Sequence, residues 1–195
     1  LILLSHGAGL AGNPEALSWF ASGLAQRGFI VSAPTHPYNT GPDRSALETI
    51  KLWLRPKDMS DTYAGLQMDK FLAGNVDWLS VGVVGMSMGG STALMLAGFK
   101  LDPKALAAYC DHPENNQSLC DWLAVSKVDL HKIDMSEADG DYSVDWSRFF
   151  IAIDAAPVDV FNDASVSTLK HEASIINLGS ASEVIKTADS SRFLQ

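Results

Sequence analysis

The pentapeptide Gly85-Met86-Ser87-Met88-Gly89 sets one hydroxyl between two glycines, directly after an apolar run and directly before a helix-forming one. A serine in that context is held in a strained turn at the C-terminal end of a strand, and glycines two residues to either side let strand and helix approach without a Cβ clash. The same turn puts Ser87 at a helix N-terminus, where the helix dipole and the N–H of Met88 stabilise a developing oxyanion. The chemistry indicated is nucleophilic acyl transfer, with Ser87 as the catalytic nucleophile. His6-Gly7-Ala8-Gly9, closing the first apolar run, supplies the second oxyanion donor such a site needs, the N–H of Ala8, while His6 shapes the loop.

A serine of this kind also needs an imidazole to take its proton and a carboxylate to orient the imidazole, in chain order Ser, Asp or Glu, His. Two carboxylates fit that order. Asp154 ends the run Ile151-Ala152-Ile153, and Glu183 follows the run that closes at Gly179. The five histidines fit less well. His171 follows Asp154 but precedes the next apolar run, which puts it at the opposite edge of a parallel sheet. His112 and His131 precede both carboxylates, and His36 stands at the correct edge in the wrong order. The catalytic histidine is therefore expected beyond Gln195, in a chain that begins and ends mid-fold.

The elements that must position these residues are five apolar, strand-like runs at 1–5, 29–34, 81–86, 149–154 and 173–179. They read as buried parallel strands. Between the first two, Asn13 is the expected N-cap, Pro14 takes the first helical position, and Leu17, Phe20, Ala21 and Leu24 recur at helical spacing before Gly28. A second helix is expected over 59–73, with Asp58 as its cap and Gly74-Asn75 as its stop. A third follows Gly90. Residues 81–99 carry no charge and match a membrane span in length, but five glycines and the change from β-branched to helix-forming residues read instead as a strand turning into a helix. The expectation is an α/β fold, a mostly parallel sheet with helices on both faces, in one domain.

Residues 101–147 break the rhythm, being far longer than the usual helix-to-strand connection, and read as a cap-like insertion over the site. They hold Cys110 and Cys120, in a polar stretch that reads as loop. Two free thiols and a disulfide both fit; a disulfide would place the protein in an oxidising compartment, periplasmic or extracellular. The acidic residues Asp134, Glu137, Asp139, Asp141 and Asp145 do not follow a calcium-loop spacing, and no metal is expected.

With 195 residues, 47% of them hydrophobic and 19% charged, and a mean hydropathy of +0.06, the chain is long and apolar enough to bury one core, which excludes a disordered tail or a disulfide-framework miniprotein. The formal charge of −9 repels phosphate backbones and anionic bilayers, so nucleic acid is not an expected partner, and with 81–99 read as a strand and a helix no integral membrane segment is expected. The N-terminal run has no basic start or small-residue cleavage site of a secretory leader.

Five blocks in order, Ser5-His6-Gly7-Ala8-Gly9, Ala33-Pro34-Thr35-His36-Pro37-Tyr38-Asn39-Thr40, Arg55-Pro56-Lys57-Asp58, Gly85-Met86-Ser87-Met88-Gly89-Gly90 and Ala152-Ile153-Asp154-Ala155, resemble the α/β-hydrolase proteins described as predicted dienelactone hydrolases, a group similar to platelet-activating-factor acetylhydrolases. The resemblance implies an α/β-hydrolase fold and a cofactor-free, acetylhydrolase-like esterase of the kind that degrades lipids, acting on small or short-chain esters. It also favours Asp154 over Glu183 as the acid. Dienelactone hydrolases proper use a cysteine nucleophile, so Ser87 points away from that substrate. An acyltransferase or thioesterase would use the same serine, and a hydrolase-fold binding protein would need none of its chemistry.

Overall fold

Residues of the first apolar run alternate between two buried faces, the period of a strand covered on both sides. In the structure, a computed structural model that describes residues 1–9, 12–180 and 184–193, this run is β1 (Ile2–Ser5), buried along its whole length. It pairs in parallel with β3 (Gly82–Met86), Ile2 opposite Gly82 and Ser5 opposite Gly85. β4 (Phe149–Ile153) continues beyond β3, with Gly85 opposite Ala152 and Met86 opposite Ile153. β5 (Ala173–Ile176) and β2 (Val31–Ser32) complete an all-parallel sheet of order β2-β1-β3-β4-β5.

Leu1, Leu3, Val81 and Val83 share one face with Met59 of α3 (Leu54–Met68) and with Ala93, Leu96 and Ala97 of α5 (Met88–Ala97). Ile2, Leu4, Val84 and Ile153 face the other way, onto Leu17 and the Phe20, Ala21 and Leu24 stripe of α1 (Ser18–Ala25). Every residue of α5 is buried, which explains the long uncharged window without a bilayer. Among the described residues no helix is long and apolar enough to cross a membrane.

Asn13 caps as expected, its side chain accepting from the Ala16 N–H at 2.8 Å, although the first turn, Pro14–Leu17, is a 3-10 helix. Three expectations need correction. The run at 29–34 yields only the two residues of β2, because it lies at the sheet edge where Phe29 and Ile30 are exposed. The fifth run pairs only as far as Ile176. The helix expected over 59–73 starts earlier and is two helices, α3 and, after the short α2 (Ala46–Thr49) and α3 in chain order, α4 (Lys70–Asn75). Pro56 is tolerated in the first turn of α3, where its missing N–H has no intrahelical acceptor to lose. Asp69 breaks the run with extended backbone and accepts from the N–H groups of Phe71 and Leu72. Asp58 is thus not a cap; it lies inside α3 with its carboxylate on His36.

The stretch 101–147 is largely helical as far as Lys132 and irregular beyond it, and it contributes to the main core. It contains α6 (Pro103–Ala107) and α7 (Gln117–Val125), and Leu106, Leu123, Leu130 and Ala138 join Leu94, Met95 and Phe99 in one cluster. Cys110 and Cys120 are disulfide-bonded, with Cα atoms 5.5 Å apart; Cys120 is buried in α7, so its surroundings are not loop. The acidic residues disperse: Glu137 pairs with Lys57 at 3.0 Å, Asp141 with Lys170 at 3.0 Å and Asp145 with His171 at 3.2 Å. Among the described residues no three metal-ligating side chains converge. Before β5 comes the short α8 (Asp163–Val166).

Candidate active site

Ser87 stands between the end of β3 and the start of α5 with φ 54° and ψ −123°, a conformation that L-residues adopt only where the surroundings enforce it. The enforcement is visible on both sides. A Cβ at position 85 would stand 1.9 Å from the Gly89 carbonyl oxygen, and one at position 89 would stand 2.0 Å from that of Ser5, so strand, helix and β1 close together only with glycine at both places. The Ser87 N–H donates to the Ile153 carbonyl at 2.9 Å, and the Ser87 carbonyl accepts from Gly90, Ser91 and Ala156. Ser87 itself is exposed although residues 81–85 and 88–97 are buried.

It opens into a cavity of about 500 Å³, within the range of small-molecule pockets. Ala8, Gly9, Met88, Ala156 and Pro157 line it together with Ser87, and so do Asn116, Leu119 and Trp122 of the α7 region. Arg44 is the charged residue among the described lining, its guanidinium carbon 5.5 Å from the centroid of the Trp122 ring. The loop after β1 passes close by: a Cβ at Gly7 would lie 3.3 Å from Ser87 Cβ and 3.7 Å from its Oγ. The structure thus brings Ser87, Met88 and Ala8 to one place.

Asp154 sits at the end of β4 with φ 42°, its N–H on the Ile176 carbonyl and its Oδ1 accepting from the Leu178 N–H at 2.7 Å. It lies at the sheet edge of Ser87, two residues before Ala156, but is not a wall residue of the cavity. Glu183 lies outside the described residues.

None of the five histidines borders that cavity. His171 packs its ring 5.5 Å from that of Phe150, beside the start of β4 and β5, at the far edge of the sheet. His112 and His131 pair with Glu114 and Asp111 on the surface of the 101–147 stretch. His6 and His36 are fully buried behind the β1 loop. Because His6 Nε2 accepts from the His36 N–H at 3.2 Å, Nδ1 carries its proton and donates to the Gly7 carbonyl at 2.7 Å. His36 Nδ1 donates to Asp58 at 2.8 Å, and its Nε2 accepts from the Ser5 hydroxyl at 2.9 Å.

Arg55 lies against this pair and was not legible as a site residue. Its Nε donates to Thr92 Oγ1 at 3.1 Å and one terminal nitrogen to Asn39 Oδ1 at 2.7 Å; the other reaches the His6 carbonyl and, at 3.5 Å, the Ser5 hydroxyl. Burial lowers the guanidinium pKa to about 9, still charged at neutral pH. Burial first, then the Arg55 charge, lowers His6 to about 4 and His36 well below its usual range, so both imidazoles are neutral. Burial raises Asp58 to about 6. All members of this cluster but Thr92 fall within the blocks that carry the sequence resemblance, yet no local pattern ties one block to another.

Compared with protein families, curated proteins and solved structures, the chain matches none.

Proposed function

We propose that the chain carries the nucleophile and oxyanion site of a serine esterase of the α/β-hydrolase fold, acting on small or short-chain carboxylic esters. The observation that carries this reading is the exposed Ser87 at positive φ, fixed between a buried strand and a buried helix and opening into a small-molecule-sized cavity. A solvent-facing residue in a strained turn with buried flanks is the arrangement in which backbone strain serves chemistry.

In this reading the Ser87 Oγ attacks the ester carbonyl carbon while an imidazole takes its proton, and the carbonyl electrons move onto an oxygen held by the N–H groups of Ala8 and Met88. The imidazolium then gives that proton to the departing alkoxide as the ester C–O bond breaks. Water, deprotonated by the same imidazole, releases the acid from the acyl-enzyme. Asp154 orients the imidazole, its backbone held by β5 and its segment joined to Ser87 by main-chain hydrogen bonds at Ile153 and Ala156. Both nitrogens of His6 and of His36 are engaged elsewhere, and the other three histidines lie away from the cavity, so the mechanism draws its imidazole from outside residues 1–195. The α7 wall acts as the cap.

The test is covalent labelling of the protein at its full natural length with a fluorophosphonate. Adduct formation at Ser87, abolished in Ser87→Ala, is expected; an adduct that survives that substitution, or none in the wild type, overturns the reading. Asp154→Asn should lower kcat by about 10⁴-fold and Glu183→Gln by less than about tenfold. The reverse ranking would move the acid to Glu183.

A further inference from the structure

We propose that Arg55 is a positioning residue for the oxyanion loop: sealed behind it, the guanidinium grips the His6 carbonyl and sets positive charge behind the Gly7 and Ala8 amides. The proposal rests on the reading of Ser87 as nucleophile.

Arg55 is 1% exposed, and the acceptors it meets are two hydroxyls, an amide oxygen and a backbone carbonyl. Among the described residues no carboxylate bonds to it directly. Asp58, on the same helix, is reached only through Ser5 and His36. Burying a cation with neutral partners is unfavourable, and an apolar side chain of similar volume would stabilise the core more simply. What the charge does accomplish is set by where it points.

Two chains of hydrogen bonds leave it. One runs directly to the His6 carbonyl, whose peptide unit carries the Gly7 N–H. Accepting a charge-assisted bond at the oxygen strengthens the same unit as a donor at nitrogen. The other side of the loop is held by His6, whose Nδ1–H donates to the Gly7 carbonyl. In a trans peptide the N–H points away from the C=O, so this grip directs the Ala8 N–H of that unit away from the buried cluster, where Ala8 lines the cavity. The grip requires a neutral His6, because a protonated Nε2 would face the His36 N–H that it now accepts. Arg55 favours that neutral form by its charge. Through Thr92, which accepts from Arg55 and donates to the Met88 carbonyl at 3.0 Å, the same guanidinium is tied to the first turn of α5. The titratable groups facing it are His6 from the β1 loop, His36 from the β2 loop and Asp58 from α3, with Asp61 next to Asp58.

The experiment uses Arg55→Met and Arg55→Lys in the protein at its full natural length, with melting curves to establish folding, NMR titration of the His6 imidazole, and kcat and KM for p-nitrophenyl acetate. Arg55→Met should raise the His6 titration above its wild-type value near 4 and lower kcat by about 100-fold with KM within about twofold, the mark of an interaction made in the transition state. Arg55→Lys keeps the charge but not the fork, so His6 should still titrate near 4 while kcat falls about tenfold. A His6 titration unmoved in Arg55→Met, or a kcat unchanged in folded Arg55→Lys, overturns the proposal. If Arg55→Met does not fold, Arg55→Lys decides alone. If wild-type Ser87 takes no fluorophosphonate, the esterase reading has failed. The His6 titration then still reports whether Arg55 controls the loop, and an unmoved value rejects that as well.

Discussion

Two histidine–aspartate pairs in this molecule have nearly the same length and opposite electrostatics. His36 meets Asp58 at 2.8 Å, and His131 meets Asp111 at 2.9 Å. The His131 pKa is raised, chiefly by its hydrogen bond to Asp111, whereas that of His36 is lowered well below its usual range by burial and then by Arg55. The contact is shared, so the contact is not what decides. His131 keeps water around 57% of its side chain and gains a partner at the cost of only part of its solvation. His36 has lost its water entirely, and beside a guanidinium it is a neutral relay that donates to Asp58 and accepts from Ser5. An ion pair read from distance alone would assign the two the same role.

The contrast is sharpest under deletion. His36→Ala should destabilise the fold by about 3 to 5 kcal/mol, since it leaves a cavity and strips partners from Ser5 and Asp58, measured as a lower urea midpoint with an unchanged slope; a loss below about 1 kcal/mol would place His36 with the surface pair. Reducing the Cys110–Cys120 bond, which spans ten residues close to the surface pair, should cost about 2 to 3 kcal/mol through the entropy of a short loop, read from melting curves with and without reductant. That region would then owe more to its covalent tie than to its ion pair.

The pH dependence has opposite sign in the two places. His6, at about 4 in the fold against an ordinary 6.5, and His36, also lowered, take up protons on unfolding in the window between, and so weaken the fold as pH falls. Asp58, at about 6 against 3.8, releases a proton on unfolding and opposes them. Two lowered imidazoles against one raised carboxyl leave a net uptake of protons on unfolding, so this cluster should weaken the fold as pH falls from 6 to 4. The slope should be shallower in Arg55→Met, where His6 titrates closer to its ordinary value. His131, raised, contributes stability at low pH that is lost as pH rises through its folded pKa. The smallest effect is expected for His131→Ala, with no measurable change in melting midpoint, because exposed pairs contribute little.

What could be read from the sequence follows the range of the interactions involved. β1, β3 and β4 appear as apolar runs because both faces of each are covered, and Ser87 is flagged by glycines two residues away whose role is local. β2 is shorter than its apolar run because an edge position, not composition, limits its pairing. The division of α3 from α4 turns on Asp69, whose capping bonds compete with one more helical turn that the pattern around it equally allows. The polar cluster draws on positions 5, 6, 36, 39, 55, 58 and 92, and an arginine in the first turn of a helix ordinarily reads as solvated. Only the crossing of β1, α3 and α5 makes it a core residue.

The main-chain bonds around Ser87 have a consequence for motion. Its N–H is held by residue 153 and its carbonyl by the N–H of residue 156, so the Ser87 backbone is clamped on both sides of Asp154. The turn that bears the carboxylate cannot swing away from the serine without breaking both bonds and opening the centre of the sheet. In hydrogen–deuterium exchange the Ser87 and Ala156 amides would therefore open together, with a protection close to that of global unfolding, which leaves mobility around the cavity to the α7 residues that line it.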